Sequence, residues 1–244
     1  MNIALIFAGG IGKRMHSKDR PKQFLKMHGK PIIIHTIEVF ESHPEIDAIV
    51  VVCVEGWIEY LEKQIERYGI HKVRKIVPGG KNGQQSIYHG LVAAEEISDD
   101  ENTIVLIHDG VRPLINHQLI SDNIKSVKEH GSAITCVPVI ETVLEVGSEN
   151  EITRIPMRKD TRLARAPQSF LLKDILEIHR TALRDGIEDS IDSCTLMQHY
   201  GKKLYLIEGP VENIKITTPQ DFYIMRAMLD AKENAQIYGF DEGE

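Results

Sequence analysis

The sequence predicts an α/β protein on a single doubly wound, mostly parallel, Rossmann-like sheet, and three observations carry that reading. Continuous apolar runs of strand length recur at 2–7, 48–54 and 103–107, as in strands buried on both faces. Stretches with helical spacing of apolar residues alternate with them, and β-α alternation implies parallel strands with ligands at their carboxyl ends. The first run opens directly onto Gly9, Gly10 and Gly12, which let a backbone turn sharply and present bare N–H groups to an anion.

The elements follow in order. Pro31 suits the first turn of a helix over 31–41, with Ile33, Ile37 and Phe40 on one face. After the strand at 48–54 come a charged amphipathic helix (57–68) and a short strand (73–77). Pro78-Gly79-Gly80 breaks the chain before a helix from about Asn82 to Ile97. The strand at 103–107 ends in His108-Asp109-Gly110-Val111-Arg112-Pro113. A helix near 117–129 and a strand at 132–139 complete the alternation. Two short strands, 142–146 and 152–155, flank a polar turn and predict a projecting β-arm over about 139–160. Helices over 171–185 and 190–199, strands at 203–207 and 213–216, and a last helix opened by Thr218-Pro219 follow. The expected organisation is one domain, 1–234, with an acidic tail at 235–244.

Composition narrows the function. With 244 residues, 42% hydrophobic and 27% charged, the chain can bury a full core without staples. A net charge of −7 argues against a general nucleic-acid surface. No apolar stretch reaches the roughly 18–20 residues of a membrane span. Met1-Asn2-Ile3 has no basic region of a signal peptide. Cys53, Cys136 and Cys194 lack metal-ligand spacing and read as buried small hydrophobes in a reduced, cytoplasmic protein. Against this acidic background, the seven Lys or Arg between Lys13 and Lys30 stand out, facing one acidic residue, Asp19. A glycine loop leaving a strand, with fixed cations behind it, suits a phosphate chain. Its spacing matches neither the nucleoside-triphosphatase loop nor the dinucleotide fingerprint.

Phe7–Arg14 with Pro21-Lys22-Gln23, the 108–113 segment, Ala166-Pro167-Gln168 and Asn213-Ile214-Lys215-Ile216-Thr217 stand together in one order. In these motifs, over about residues 2–230, the chain resembles the cytidylyltransferases that join CTP to a polyol phosphate. That group includes methylerythritol-4-phosphate and ribitol-5-phosphate branches. The resemblance implies the nucleotidyltransferase type of this fold, with Ala8, Gly9, Gly10, Gly12, Gly80 and Ser86 binding CTP. It also implies Arg14, Lys22 and Lys215 as catalytic cations and Asp109 as carrier of Mg2+. Arg112, Thr142 and Arg158 match acceptor-binding positions, and the arm implies a homodimer in which it reaches a neighbouring site.

The implied reaction is attack of an alcohol phosphate on the α-phosphorus of CTP, which needs positioning and charge neutralisation more than a base. Asp192 reads as a helix cap, and His108 as a packing or orienting residue. Three positions depart from the pattern. Ala166 stands where a threonine usually helps bind the acceptor phosphate, Lys81 where an acidic residue is common, and Val139-Ile140-Glu141 precedes Thr142. Gly9-Gly10, Val111, Ile155–Arg158 and Asp192-Ser193-Cys194 lean toward the ribitol branch, with methylerythritol phosphate as the alternative acceptor. Two competing readings are a dinucleotide-dependent oxidoreductase and a nucleotide-binding regulatory protein without turnover.

Overall fold

A computed structural model describes residues 1–10, 20–98 and 100–238. Eleven strands form: β1 (Asn2–Ala8), β2 (Lys26–Met27), β3 (Lys30–Pro31), β4 (Ala48–Cys53), β5 (Val73–Pro78), β6 (Ile104–Asp109), β7 (Ser132–Pro138), β8 (Glu145–Val146), β9 (Ile152–Arg154), β10 (Arg162–Leu171) and β11 (Leu206–Glu208). The α-helices are α1 (Ile32–Ser42), α2 (Ile58–Arg67), α3 (Gly83–Glu95), α4 (His117–His130), α5 (Leu172–Arg184), α6 (Ser193–His199) and α7 (Pro219–Tyr238).

Seven strands make the central sheet in the order β11-β7-β10-β6-β1-β4-β5. β6, β1, β4 and β5 are mutually parallel, as are β11 and β7, whereas β10 runs antiparallel to both of its neighbours. The period-two alternation of strand side chains divides the core. Ala4 and Ile6 of β1, with Ile49 and Val51 of β4, meet α1, α2 and α4. Ile3 and Leu5, with Val50 and Val52, meet α3, α5 and α6. Because both faces are covered, the strands can be apolar throughout. Among the described residues, no helix is long and apolar enough to cross a membrane.

Most expected elements form within a residue or two of their predicted bounds. The hairpin forms as β8 and β9, paired antiparallel. Three differences matter. Residues 213–216 are not a strand: Ile216 is fully buried, and its N–H bonds to the Val111 carbonyl across a loop, with no strand ladder alongside. Conversely, β10 was not foreseen, because Arg162, Arg165 and Pro167 interrupt its apolar pattern. Its register shifts between Ala164 and Gln168, where the Ala166–Pro167 bond is cis. The last helix, α7, runs to Tyr238, past the expected start of the tail, and 239–244 lie outside the described residues.

One further hairpin, β2–β3, turns on His28 and Gly29, whose φ values are 50° and 77°. Two consecutive left-handed residues suit the tight hairpin turn that matches strand twist. This hairpin joins Val111, Leu114 and Ile216 in a small apolar cluster closed by Met225 and Phe222 of α7. The chain on either side of Lys22 and of Lys215 is thereby packed against one support.

Candidate active site

The parallel strands β1, β4, β5 and β6 end on one edge of the sheet, and antiparallel β10 begins there. That edge carries the site. At the end of β6, Asp109 is buried, and both of its oxygens meet a cation. Arg112 Nε donates to Oδ2 at 2.7 Å and Lys215 Nζ to Oδ1 at 2.6 Å. Burial pushes the Asp109 carboxyl upward; Lys215 and Arg112 outweigh it and hold the group at about 2. A carboxylate so placed is ionised at any working pH.

Behind it, His108 is fully buried and held neutral by burial, at about 4. Its Nε2 lies 3.0 Å from the Arg112 carbonyl, to which it donates. The ring, packed on Phe40, ties down the turn that carries both Asp109 and Arg112. That agrees with the orienting role expected of it.

Lys215 reaches Asp109 from the irregular 213–217 segment, which other contacts fasten. Asn213 Nδ2 donates to the Ala166 carbonyl at 2.7 Å, and the Asn213 carbonyl accepts from Arg112 Nη1 at 2.9 Å. Lys22 Nζ donates to the Ile216 carbonyl at 3.0 Å, so the two lysines expected to work together are anchored on adjacent residues of one segment. Gly12 and Arg14 lie outside the described residues.

The glycine side is built by close approach rather than by charge. Gly9 and Gly79 meet backbone to backbone: a Cβ on Gly79 would sit 3.0 Å from Gly9 Cα, and one on Gly9 would meet Ser86 Oγ at the same distance. Neither position has room for a side chain. Gln23, buried, donates through Nε2 to the Ala8 carbonyl at 2.6 Å and to the Gly10 carbonyl at 3.1 Å. This pins the start of the glycine loop. The sequence reading gave Gln23 no role, and only its place in the Pro21-Lys22-Gln23 motif hinted at one. The Ser86 hydroxyl donates to the Asn82 carbonyl at 2.8 Å and accepts the Gly80 N–H at 2.9 Å. The Gly80 N–H and the Ser86 hydroxyl of α3 are thus bonded to each other and to the cap of that helix, while Gly10 is exposed.

Between these sides lies a cavity of about 310 Å3 whose charged lining is Asp109, Arg112, Arg165, Asp192 and Lys215. Asp192 caps α6, accepting the Thr195 N–H at 2.9 Å, and also accepts from Gln168 Nε2. The expected cap is thus also part of the cavity wall. A wider groove of about 530 Å3 along β5 gathers no comparable set of convergent cations around a buried carboxylate.

Thr142 and Arg158 are exposed on the arm and do not line the cavity. Among the described residues, no group of three or more His, Cys, Asp or Glu could hold a metal by protein ligands alone. Asp109 nevertheless fits Mg2+, which takes one or two carboxylates and completes its shell with phosphates and water. It is ionised and has lone pairs beyond the two hydrogen bonds it accepts.

Comparison with known proteins gives the family. The family model described as IspD: 2-C-methyl-D-erythritol 4-phosphate cytidylyltransferase matches residues 2–231. The chain belongs to this family. A ribitol-5-phosphate cytidylyltransferase of Streptococcus agalactiae serotype III is 55% identical over 239 residues, covering 98% of this chain and 100% of the relative. A 2-C-methyl-D-erythritol 4-phosphate cytidylyltransferase of Clostridium botulinum is 37% identical, over 94% of this chain and 97% of its own. The crystal structure of 4-diphosphocytidyl-2C-methyl-D-erythritol synthase from Anaerococcus prevotii superimposes with a TM-score of 0.81 at 26% identity, covering 94% and 96% of the two chains. The IspD-family chain is accordingly a nucleotidyltransferase, and the regulatory and oxidoreductase readings lose their ground.

Proposed function

We propose that this chain transfers CMP from CTP to an alditol phosphate, with ribitol 5-phosphate as the acceptor, giving a CDP-alditol and pyrophosphate. The Asp109–Arg112–Lys215 cluster carries the reading: it is a fixed arrangement of cations around a buried carboxylate at the strand ends, where ligands bind in this class of sheet. The choice of acceptor rests on the 55% identity to a ribitol enzyme against 37% to a methylerythritol one.

In the proposed reaction an oxygen of the acceptor phosphate attacks the α-phosphorus, the new P–O bond forms, and the bond to the bridging α–β oxygen breaks as pyrophosphate leaves. The nucleophile is already an anion, so no side chain need remove a proton. Lys215 and Lys22 neutralise charge that builds on the α-phosphoryl oxygens, with Arg14 on the triphosphate. Ala8, Gly9, Gly10 and Gly12 supply backbone donors, while Gly80 and Ser86 contact the nucleoside. When bound at Asp109, Mg2+ supplies further neutralisation of the triphosphate.

Arg112 faces the acceptor from within the chain. Thr142 and Arg158 reach it from the arm of a second copy, in a homodimer. The support is the arm's surface: Ile140, Val146, Ile155 and Met157 are 81%, 61%, 57% and 61% exposed. Apolar side chains so crowded on one projection are what a partner subunit covers. A cytoplasmic enzyme accords with the use of CTP and with three free cysteines.

The test compares pyrophosphate release from CTP and Mg2+ with ribitol 5-phosphate, methylerythritol 4-phosphate and glycerol 3-phosphate. Ribitol 5-phosphate is expected to give the highest kcat/KM. A higher value with methylerythritol 4-phosphate would reverse the acceptor, and CTP binding with no release from any of them would remove the activity.

A further inference from the structure

Ala166 has no hydroxyl to offer a phosphate, and the residue before it changes the balance of charge. Arg165 leaves β10 where the register breaks and lines the same cavity as Asp109. Its Nη1 donates to the Asn213 carbonyl at 2.7 Å, the oxygen that Arg112 Nη1 also reaches, at 2.9 Å. Two guanidinium groups thus converge on one carbonyl.

Arg112 is neutralised in part by Asp109, which Lys215 shares. Among the described residues, no carboxylate pairs with Arg165. The cavity's other acid, Asp192, is occupied by the α6 N-terminus and by Gln168. Burial and the charge of Arg112 both act against the Arg165 cation. Such a position is costly without an anion, and a phosphate monoester brings two negative charges. Each guanidinium has five N–H donors; Arg165 turns Nη1 to the Asn213 carbonyl and, at 3.5 Å, to the Val211 carbonyl, and Arg112 uses two, so both retain donors for phosphate oxygens.

We infer that Arg165 is a specificity-determining residue for the acceptor: paired with Arg112, it binds the acceptor's phosphate. This rests on the proposed function. Arg165 belongs to the acceptor and not to CTP, because it shares the Asn213 carbonyl with Arg112, the arginine that faces the acceptor in the proposed function. It also works within one chain, unlike Thr142 and Arg158.

Steady-state kinetics with each substrate varied in turn provide the test, on wild type, Arg165→Gln and Arg165→Lys. Losing charged hydrogen bonds of about 1.5–3 kcal/mol raises the KM for ribitol 5-phosphate about 10- to 100-fold in Arg165→Gln. The KM for CTP should stay within about twofold, a split that general damage to the site would not produce. Arg165→Lys should fall between, and it carries the test should the glutamine variant not fold. An unchanged acceptor KM, or equal rises for both substrates, overturns the assignment. Should the wild type turn over no alditol phosphate, the functional reading fails on its own. Calorimetric titration with inorganic phosphate then decides Arg165 separately. Binding by wild type and its loss in the variants supports the subsite, and equal or absent binding overturns it.

Discussion

The Asp109 cluster and the 139–160 arm both carry residues expected to handle the acceptor, yet they are built on opposite terms. At Asp109 both carboxylate oxygens are already met: Arg112 and Lys215 are in place, Asn213 fastens the segment, and His108 braces the turn from behind. On the arm, the two short strands pair with each other apart from the central sheet, with Arg154 paired to Glu145 in the open and Thr142 and Arg158 in solvent. Preorganisation is worth most where charge develops during the reaction, because fixed dipoles there need no rearrangement. Substrate selection tolerates assembly at a later step. On the proposed function, the molecule therefore completes its charge-handling half within one chain and leaves part of acceptor recognition to a second one.

Breaking the first half should have the larger effect. Lys215→Met keeps the stem's packing while removing the cation. Turnover should fall about 10²–10³-fold, the usual cost of one fixed donor at a charged transition state. Arg112 still pairs with Asp109 in this variant, so the fold should survive; turnover within tenfold of wild type would remove Lys215 from the mechanism. The arm gives a smaller and different loss. Met157→Glu places a charge on its apolar face and should shift sedimentation from dimer to monomer. The acceptor KM should rise about tenfold with CTP binding retained, the cost of about 1.5 kcal/mol for one lost hydrogen bond to a charged group. A wild-type monomer at micromolar concentration, or a variant dimer with unchanged kinetics, would leave the arm without its part.

The same contrast explains what was legible in the sequence. Strands β1, β4 and β6 could be read directly because burial on both faces leaves an unbroken apolar run. Asp109 could be placed because such a run ends on it. β10 escaped because the functions at its start require what a strand pattern forbids: Arg165 faces a cavity, and Pro167 sits where the register breaks. The 213–216 segment failed the other way. Its alternating Ile214 and Ile216 imitate a strand, but Ile216 docks alone beneath α7, and the segment exists to present Lys215. Gln23 was invisible for a simpler reason. Its partners are two backbone carbonyls, and no side-chain pattern encodes them. Arg165 was passed over because its meaning depends on Arg112 and Asn213, which are 53 and 48 residues away.

Acid should separate the two halves as well, through a group in neither. His179 on α5 is buried beside Tyr88 with both ring nitrogens lacking a hydrogen-bond partner, and burial lowers it to about 4. An unfolded chain takes up a proton at this side chain below its ordinary value of 6.5, and the folded chain does not until about 4. Stability is therefore lost as pH falls through that window and loses nothing more from this group below it. The loss between pH 7.5 and 5 comes to about 2 kcal/mol for a shift of this size. His179→Phe keeps the stack on Tyr88 and removes the titration, so its denaturant-unfolding stability should decline less over the same range, by that amount. Parallel curves for the two proteins would mean that His179 finds a partner in solution and that the acid sensitivity of the body lies elsewhere. The arm, with its apolar side chains in solvent, does not contain this group, and Met157→Glu should leave the acid slope of the body unchanged.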